Sequence, residues 1–124
     1  MLRIWLFAPA NHPRRVDKAL ASDADVAVLD LEDSCPDAEK VAGRDAVRAA
    51  TTRGREGLLY VRVNSASSGL LEVDLEAAVS KGLDGVFLPK AESAAELTEA
   101  DRIIGLFERR RDLAEARHEA FQAE

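Results

Sequence analysis

The chain has 124 residues, 47% hydrophobic and 32% charged, with 17 Lys and Arg against 23 Asp and Glu and a formal net charge of −6. The length suits one domain and the composition argues against wholesale disorder, while the acidic balance argues against a nucleic-acid binder, whose phosphate contacts need a concentrated basic surface. A single cysteine, Cys35, excludes an intrachain disulfide and a multi-thiolate metal site, and fits a reducing compartment.

The apolar stretch at residues 2–8 is too short for a secretory core and gives way to the polar Asn11-His12-Pro13-Arg14-Arg15. No stretch approaches the roughly 20 apolar residues of a membrane helix. The expectation is a soluble, cytoplasmic protein without membrane or nucleic-acid partners.

Short apolar runs alternate four times with segments of helical period, a pattern that calls for parallel strands and crossover helices. Strands are expected at residues 3–8, 26–33, 58–64 and 86–90; the middle two are apolar enough to need cover on both faces. Pro13 suits an early helical position, and Val16, Ala19 and Leu20 follow at helical spacing. A second helix is expected from Asp37, placed to cap it, to Thr51, with Val41, Ala42, Ala46, Val47, Ala49 and Ala50 on the buried side.

A third helix is expected near residues 70–81, stopped by Gly82. Ser93-Ala94-Ala95-Glu96 has capping-box spacing and opens a helical pattern running almost to Glu124, with a charged helical tail from about residue 109. The chain therefore reads as one α/β domain over residues 1–124, four βα units with no fifth strand.

Four such units make either a small doubly wound sheet or half of an eight-stranded barrel. A dinucleotide-binding sheet would show Gly-x-Gly-x-x-Gly after the first strand, where this chain reads Ala8-Pro9-Ala10-Asn11-His12-Pro13. An independent flavodoxin-like sheet needs a fifth element and a phosphate-cradling loop, and neither is found.

Alternation along a strand puts Asp30 and Glu32 on one face and Leu29, Leu31 and Asp33 on the other; Arg62 shares a face with Asn64, and Lys90 with Val86 and Leu88. In each strand the polar groups come last, at the carboxyl end where barrels and open parallel sheets hold ligands. Pairing with Arg62 and Lys90 is expected to lower the pKa of Asp30, Glu32 and Asp33. The plainer reading is an ion network closing the core; charge repeated at one end of three strands favours a site.

Arg3-x-Trp5-Leu6-Phe7-x-Pro9-Ala10-x-x-Pro13, Lys18-Ala19-x-x-Ser22-x-Ala24-Asp25, Leu29-Asp30-Leu31-Glu32-Asp33, Arg62-Val63-Asn64 and Leu88-Pro89-Lys90-x-Glu92-Ser93 resemble, in order and spacing, the citrate lyase beta subunit-like aldolases. That family includes citryl-CoA, malyl-CoA and citramalyl-CoA lyases. The resemblance implies about half of a TIM-type (β/α)8 barrel, made of parallel (β/α) units. It also implies a carbon–carbon lyase that cleaves or forms a 3-hydroxyacyl-CoA, with acetyl-CoA and a 2-oxo acid as its partners and Mg²⁺ as cofactor.

By resemblance, Arg62 holds the 2-oxo acid and stabilises developing negative charge, Glu32 and Asp33 orient it, and Phe7, Pro9 and Arg14 form the edge that receives coenzyme A. Asn64 and Lys90 complete the substrate side, Lys90 as a carboxylate partner. The family's metal-binding Glu and Asp come from later strands, beyond Glu124, so the expectation is the N-terminal half of a lyase, incomplete alone. Its open edges and inner face would be covered by self-association or by a complementary chain. The alternative is a noncatalytic truncated homologue that binds coenzyme A or associates with a full-length relative.

Three further residues read more plainly. His12 before Pro13 reads as a turn residue, Arg15 is as good a phosphate partner as Arg14, and Cys35 is an inert thiol among acids.

Overall fold

The computed structural model describes residues 4–89, 93–111 and 119–122. Strands and helices alternate as β1 Trp5–Pro9, α1 Pro13–Ala21, β2 Val26–Asp30, α2 Lys40–Arg53, β3 Leu58–Arg62, α3 Leu71–Ala78, β4 Gly85–Leu88, α4 Ala94–Arg110 and β5 Glu119–Gln122. Short 3-10 turns at Asp37–Glu39 and Ala66–Ser68 lead towards α2 and α3.

All strands pair in parallel and in chain order, β1-β2-β3-β4-β5. A doubly wound sheet reverses its order at a switch point; with no reversal, right-handed crossovers leave every helix on one face. The packing shows this. One core cluster joins Ala8, Leu29, Leu59, Val61 and Val86 to Val16, Leu20, Val47, Leu75, Ile103 and Phe107 of the helices. The opposite face carries a second cluster, Val26, Val28 and Tyr60 under Trp5, Leu58 and Phe87, with no helix residue in it. A sheet clad by helices on one side and lined by aromatics on the other is an arc of barrel wall, the half-barrel expected from the sequence.

Local chemistry explains the elements. Pro13 opens α1, His12 caps it by accepting the Arg15 N–H at its Nδ1 at 3.4 Å, and Val16, Ala19 and Leu20 form the buried stripe as read from the sequence. His12 is a cap, as its turn reading required.

Several expectations need correction. The fourth helix does not continue to Glu124: it ends at Arg110, and β5 follows, pairing Gly85 with Glu119 through Leu88 with Gln122. Glu119-Ala120-Phe121-Gln122 has one large apolar residue and no β-branched one, so its strand state comes from the open ladder of β4 rather than from local propensity. Next, β2 stops at Asp30 rather than Asp33, because the Asp30 carboxylate takes the amides of Glu32 and Ser34 and turns the chain out of the ladder.

The second helix begins at Lys40, with Glu39 rather than Asp37 at its cap, and buries Lys40, Gly43, Val47, Ala50 and Thr51 while Val41 is 67% exposed. The segment is alanine-rich, so apolar residues fall on every side and only contact fixes its phase. Finally, α3 ends at Ala78, four residues before Gly82, and Ser93 precedes α4 without a side-chain cap bond.

Gly82 has another task. A Cβ there would overlap the Thr51 carbonyl oxygen at the end of α2, backbone that cannot swing aside. Gly82→Ala is expected to destabilise the fold by about 1–3 kcal/mol, read as a lower urea midpoint with an unchanged m-value; an unchanged midpoint would show that the α2 terminus gives way freely.

Candidate functional site

Parallel register sets the first contact. Pro9 lies opposite Asp30, Asp30 opposite Arg62 and Arg62 opposite Phe87, a row across the carboxyl ends of four strands on the aromatic face. Asp30 and Arg62 are therefore neighbours on one surface, and Arg62 donates to both carboxylate oxygens, Nε to Oδ1 at 2.9 Å and Nη2 to Oδ2 at 2.7 Å. The guanidinium also lies 5.3 Å from the centre of the Phe7 ring, so its plane is held from two sides.

Asp30 is 1% exposed and carries more than this pair. Its Oδ1 accepts the Glu32 N–H at 2.8 Å, and its Oδ2 accepts the Ser34 N–H at 3.0 Å and the Ser34 hydroxyl at 2.6 Å. Burial pushes its pKa up, but the bonds from Arg62, Ser34 and Glu32 outweigh that and hold it at about 2. Arg62 is pushed up in turn, chiefly by Asp30, and stays a cation.

Glu32 differs from expectation. Because β2 has ended, Glu32 stands on the turn, with its carboxylate 3.8 Å from the Arg62 Nε and 25% exposed. Burial and the adjacent Asp33 raise its pKa, against the lowering pull of Arg62. Pairing lowers Asp30, not Glu32; Asp33 is exposed on the same turn.

Behind the turn lies a polar network with no forecast in the sequence. Lys40, 6% exposed, donates to the carbonyls of Leu31 at 2.7 Å, Cys35 at 2.9 Å and Glu32 at 3.1 Å, and to Asn64 Oδ1 at 3.1 Å. The Asn64 amide nitrogen donates to Leu31 O and to Asp74, and Arg44 Nε holds Asp74 at 2.9 Å. Asn64 is thus buried within this network, and its side chain is engaged there rather than at the cavity. The helical spacing of Lys40, Gly43, Arg44 and Val47 was its only signal, and alanines on the other faces masked it.

An open cavity of about 350 Å³ lies over the row, lined by Phe7, Pro9, Arg15, Asp30, Ser34 and Arg62. The structure brings Arg62, Phe7 and Pro9 together there, with Glu32 beside them. Of the two arginines opening α1, Arg15 lines the cavity while Arg14 is exposed and outside its lining. Lys90 lies outside the described residues. Cys35 is buried and its thiol is pushed up, burial first, in line with an inert group.

A larger cavity, about 940 Å³, opens at the amino ends of the strands around Arg55. There the guanidinium bonds the carbonyls of Leu20, Ser22, Ala24 and Leu58. This ties loop ends together and presents no anion site, so the chemistry favours the smaller cavity.

Among the described residues no group of three His, Cys, Asp or Glu side chains could hold a metal. Asp30 is saturated, and Glu32 and Asp33 alone make a poor Mg²⁺ site. These residues do not fit the ion by themselves. Among them, also, no helix is long and apolar enough to cross a membrane.

Residues 3–118 match the family described as HpcH/HpaI aldolase/citrate lyase. A citrate lyase subunit beta-like protein of Mycobacterium tuberculosis is 43% identical over 95 residues, covering 77% of this chain and 34% of the relative. An L-malyl-CoA/beta-methylmalyl-CoA lyase of Cereibacter sphaeroides is 34% identical over 113 residues, covering 86% and 35%. The chain spans about a third of the length of the curated relatives it matches.

Two solved structures from M. tuberculosis are similar. The protein CitE in complex with magnesium, acetoacetate and coenzyme A gives a TM-score of 0.64 at 41% identity, covering 77% of this chain and 35% of that one. The citrate lyase beta subunit complexed with oxaloacetate and magnesium gives 0.64 at 37% identity, covering 94% and 45%.

The Asp30 geometry carries a pH dependence. A carboxylate at about 2 when folded and 3.8 otherwise contributes ~2 kcal/mol above pH 4, lost as pH falls from about 4 towards 2. Urea midpoints measured across that window should fall in the unaltered chain, and Asp30→Asn should be less stable at pH 7 yet flatter between pH 4 and 2.

Proposed function

The chain belongs to the HpcH/HpaI aldolase/citrate lyase family, and from that premise we propose that it supplies the oxo-acid-holding part of a carbon–carbon lyase of citryl-CoA or malyl-CoA type. In that reaction a 3-hydroxyacyl-CoA loses its hydroxyl proton to a base, the carbon–carbon bond breaks with release of a 2-oxo acid, and the electron pair passes to the thioester enolate, whose carbon then takes up a proton to give acetyl-CoA. Arg62 is the observation that carries the reading. Asp30 takes two of its five N–H groups, and the remainder of the fork serves a carboxylate or a developing oxyanion at the cavity.

Pre-organisation makes this useful. The pair with Asp30 and the Phe7 ring fix the guanidinium before any ligand arrives, so little reorganisation is needed as charge develops. Glu32, with its carboxyl held above the usual range, and Asp33 orient the acid from the turn. Phe7, Pro9 and the cations opening α1, Arg14 and Arg15, form the edge for coenzyme A. Mg²⁺, held by the similar M. tuberculosis structures, supplies Lewis acidity when bound; its ligands in the proposed assembly come from outside the described residues.

One observation favours association. Ile4 is 59%, Leu6 37% and Phe7 47% exposed at the β1 edge, and among the described residues no helix lies over the aromatic face. We propose that a second copy or a complementary chain covers this wall, and that catalysis belongs to that assembly; a chain acting only through association, without chemistry of its own, is the other form of this reading.

Titration calorimetry with oxaloacetate, with and without Mg²⁺ and at a known oligomeric state by light scattering, tests the proposal. The unaltered chain should bind the acid, and Arg62→Met should weaken binding about 10- to 100-fold, as expected for loss of a charged hydrogen-bonding partner. Equal affinity of the two, or no binding by the unaltered chain in any state, would overturn it.

A further inference from the structure

We propose that Lys40 is a positioning residue: its buried ammonium gathers the carbonyls of Leu31, Glu32 and Cys35 into one knot and so holds the Glu32-Asp33 turn against Arg62. This deepens the proposed function, since the orientation of the turn serves catalysis only where the oxo acid binds beside it.

Burying an ammonium is costly, and a carboxylate is its usual partner. Lys40 is 6% exposed, yet its ion pair is with Asp37 at 3.9 Å, a side chain 98% exposed, whose attraction water screens. The bonds of 2.7–3.1 Å all go to neutral oxygens: three backbone carbonyls and Asn64 Oδ1. A helix needing only a good first residue does not need this. A turn whose carbonyls face inward does, because without a cation they would face one another away from water.

The arrangement has two sides. Asp30 takes N–H groups of the turn at Glu32 and Ser34, and Lys40 takes its carbonyls at Leu31, Glu32 and Cys35. Asn64 fastens the Lys40 side to the end of β3, two residues beyond Arg62, by donating to Leu31 O and accepting from Lys40. Asp74, pinned by Arg44, fixes Asn64 through both its backbone and side-chain N–H groups. The distance between Glu32 and Arg62 is thus set by bonds on both sides of the turn.

The test compares the unaltered chain with Lys40→Met, which keeps most of the length of the side chain without its charge, and with Asp37→Asn. Backbone ¹⁵N relaxation should show Glu32, Asp33 and Ser34 falling from an order parameter of about 0.85 to below about 0.6 in Lys40→Met, while β3 and the rest of α2 stay rigid. Oxaloacetate affinity should drop at least about tenfold, because misplacement of an orienting group is costly even at small displacements. Asp37→Asn should match the unaltered chain.

A folded Lys40→Met with a turn as ordered as before, or an Asp37→Asn turn loosened to the same extent, would overturn the proposal. If Lys40→Met does not fold, the unaltered chain decides: the Lys40 ammonium protons should exchange at least about tenfold more slowly than those of the exposed Lys18 and Lys81, and equal rates would overturn it. Failure of the unaltered chain to bind oxaloacetate would sink the oxo-acid reading instead, leaving the order-parameter result to judge Lys40.

Discussion

A single buried carboxylate organises the carboxyl end of this sheet. Asp30 accepts five hydrogen bonds, two from Arg62 on the neighbouring strand and three from the turn that follows its own. Each partner would be poorly defined without it. Arg62 would be a long side chain free to choose rotamers, and the turn would leave amides unpaired at the end of a buried strand. Because one group serves both, the cation and the acidic turn are fixed relative to each other, and a rigid pair of opposite charges beside an open cavity is what an anionic substrate needs.

The one-sided construction of the sheet explains why that site faces outward. Sequential parallel pairing places the described helices behind the strands, so the row through Pro9, Asp30, Arg62 and Phe87 looks onto the aromatic face. Below the row Trp5 packs edge-on against Tyr60 at 5.6 Å and Phe87 at 5.2 Å. These rings give the arc a firm inner layer, and Phe7, half-exposed at its rim, lends its face to the guanidinium. Layering of apolar groups below and charged groups above is how a barrel keeps its interior dry and its mouth chemical.

Much of this was legible in the sequence because it depends on periodicity. The stripe Val16, Ala19, Leu20 placed α1, the apolar runs placed four strands, and polar residues at the ends of three of them pointed to the candidate site. What was not legible depends on contact. Asp30 looked like one acid among three until the structure showed it ending β2, and that capture sets Glu32 apart, with a raised pKa where pairing alone implied a lowered one. Lys40 carries no signal of its own in the sequence, because in an alanine-rich helix no face stands out. Asn64, read as a substrate residue beside Arg62, is turned into the network since β3 has already ended. The strand at Glu119–Gln122 carries too weak a local signal to outweigh the charged helical pattern before it.

Asp30 holds Arg62 and the acidic turn as one unit. Hydrogen exchange of the Arg62 Nε–H and of the Glu32 and Ser34 amides, compared between the unaltered chain and Asp30→Asn at neutral pH, reads that coupling. In Asp30→Asn all three protons should lose protection together while Val61 and Leu29 in the strands keep theirs. Loss at Arg62 alone, with Glu32 and Ser34 as protected as before, would contradict it and leave the turn to hold itself.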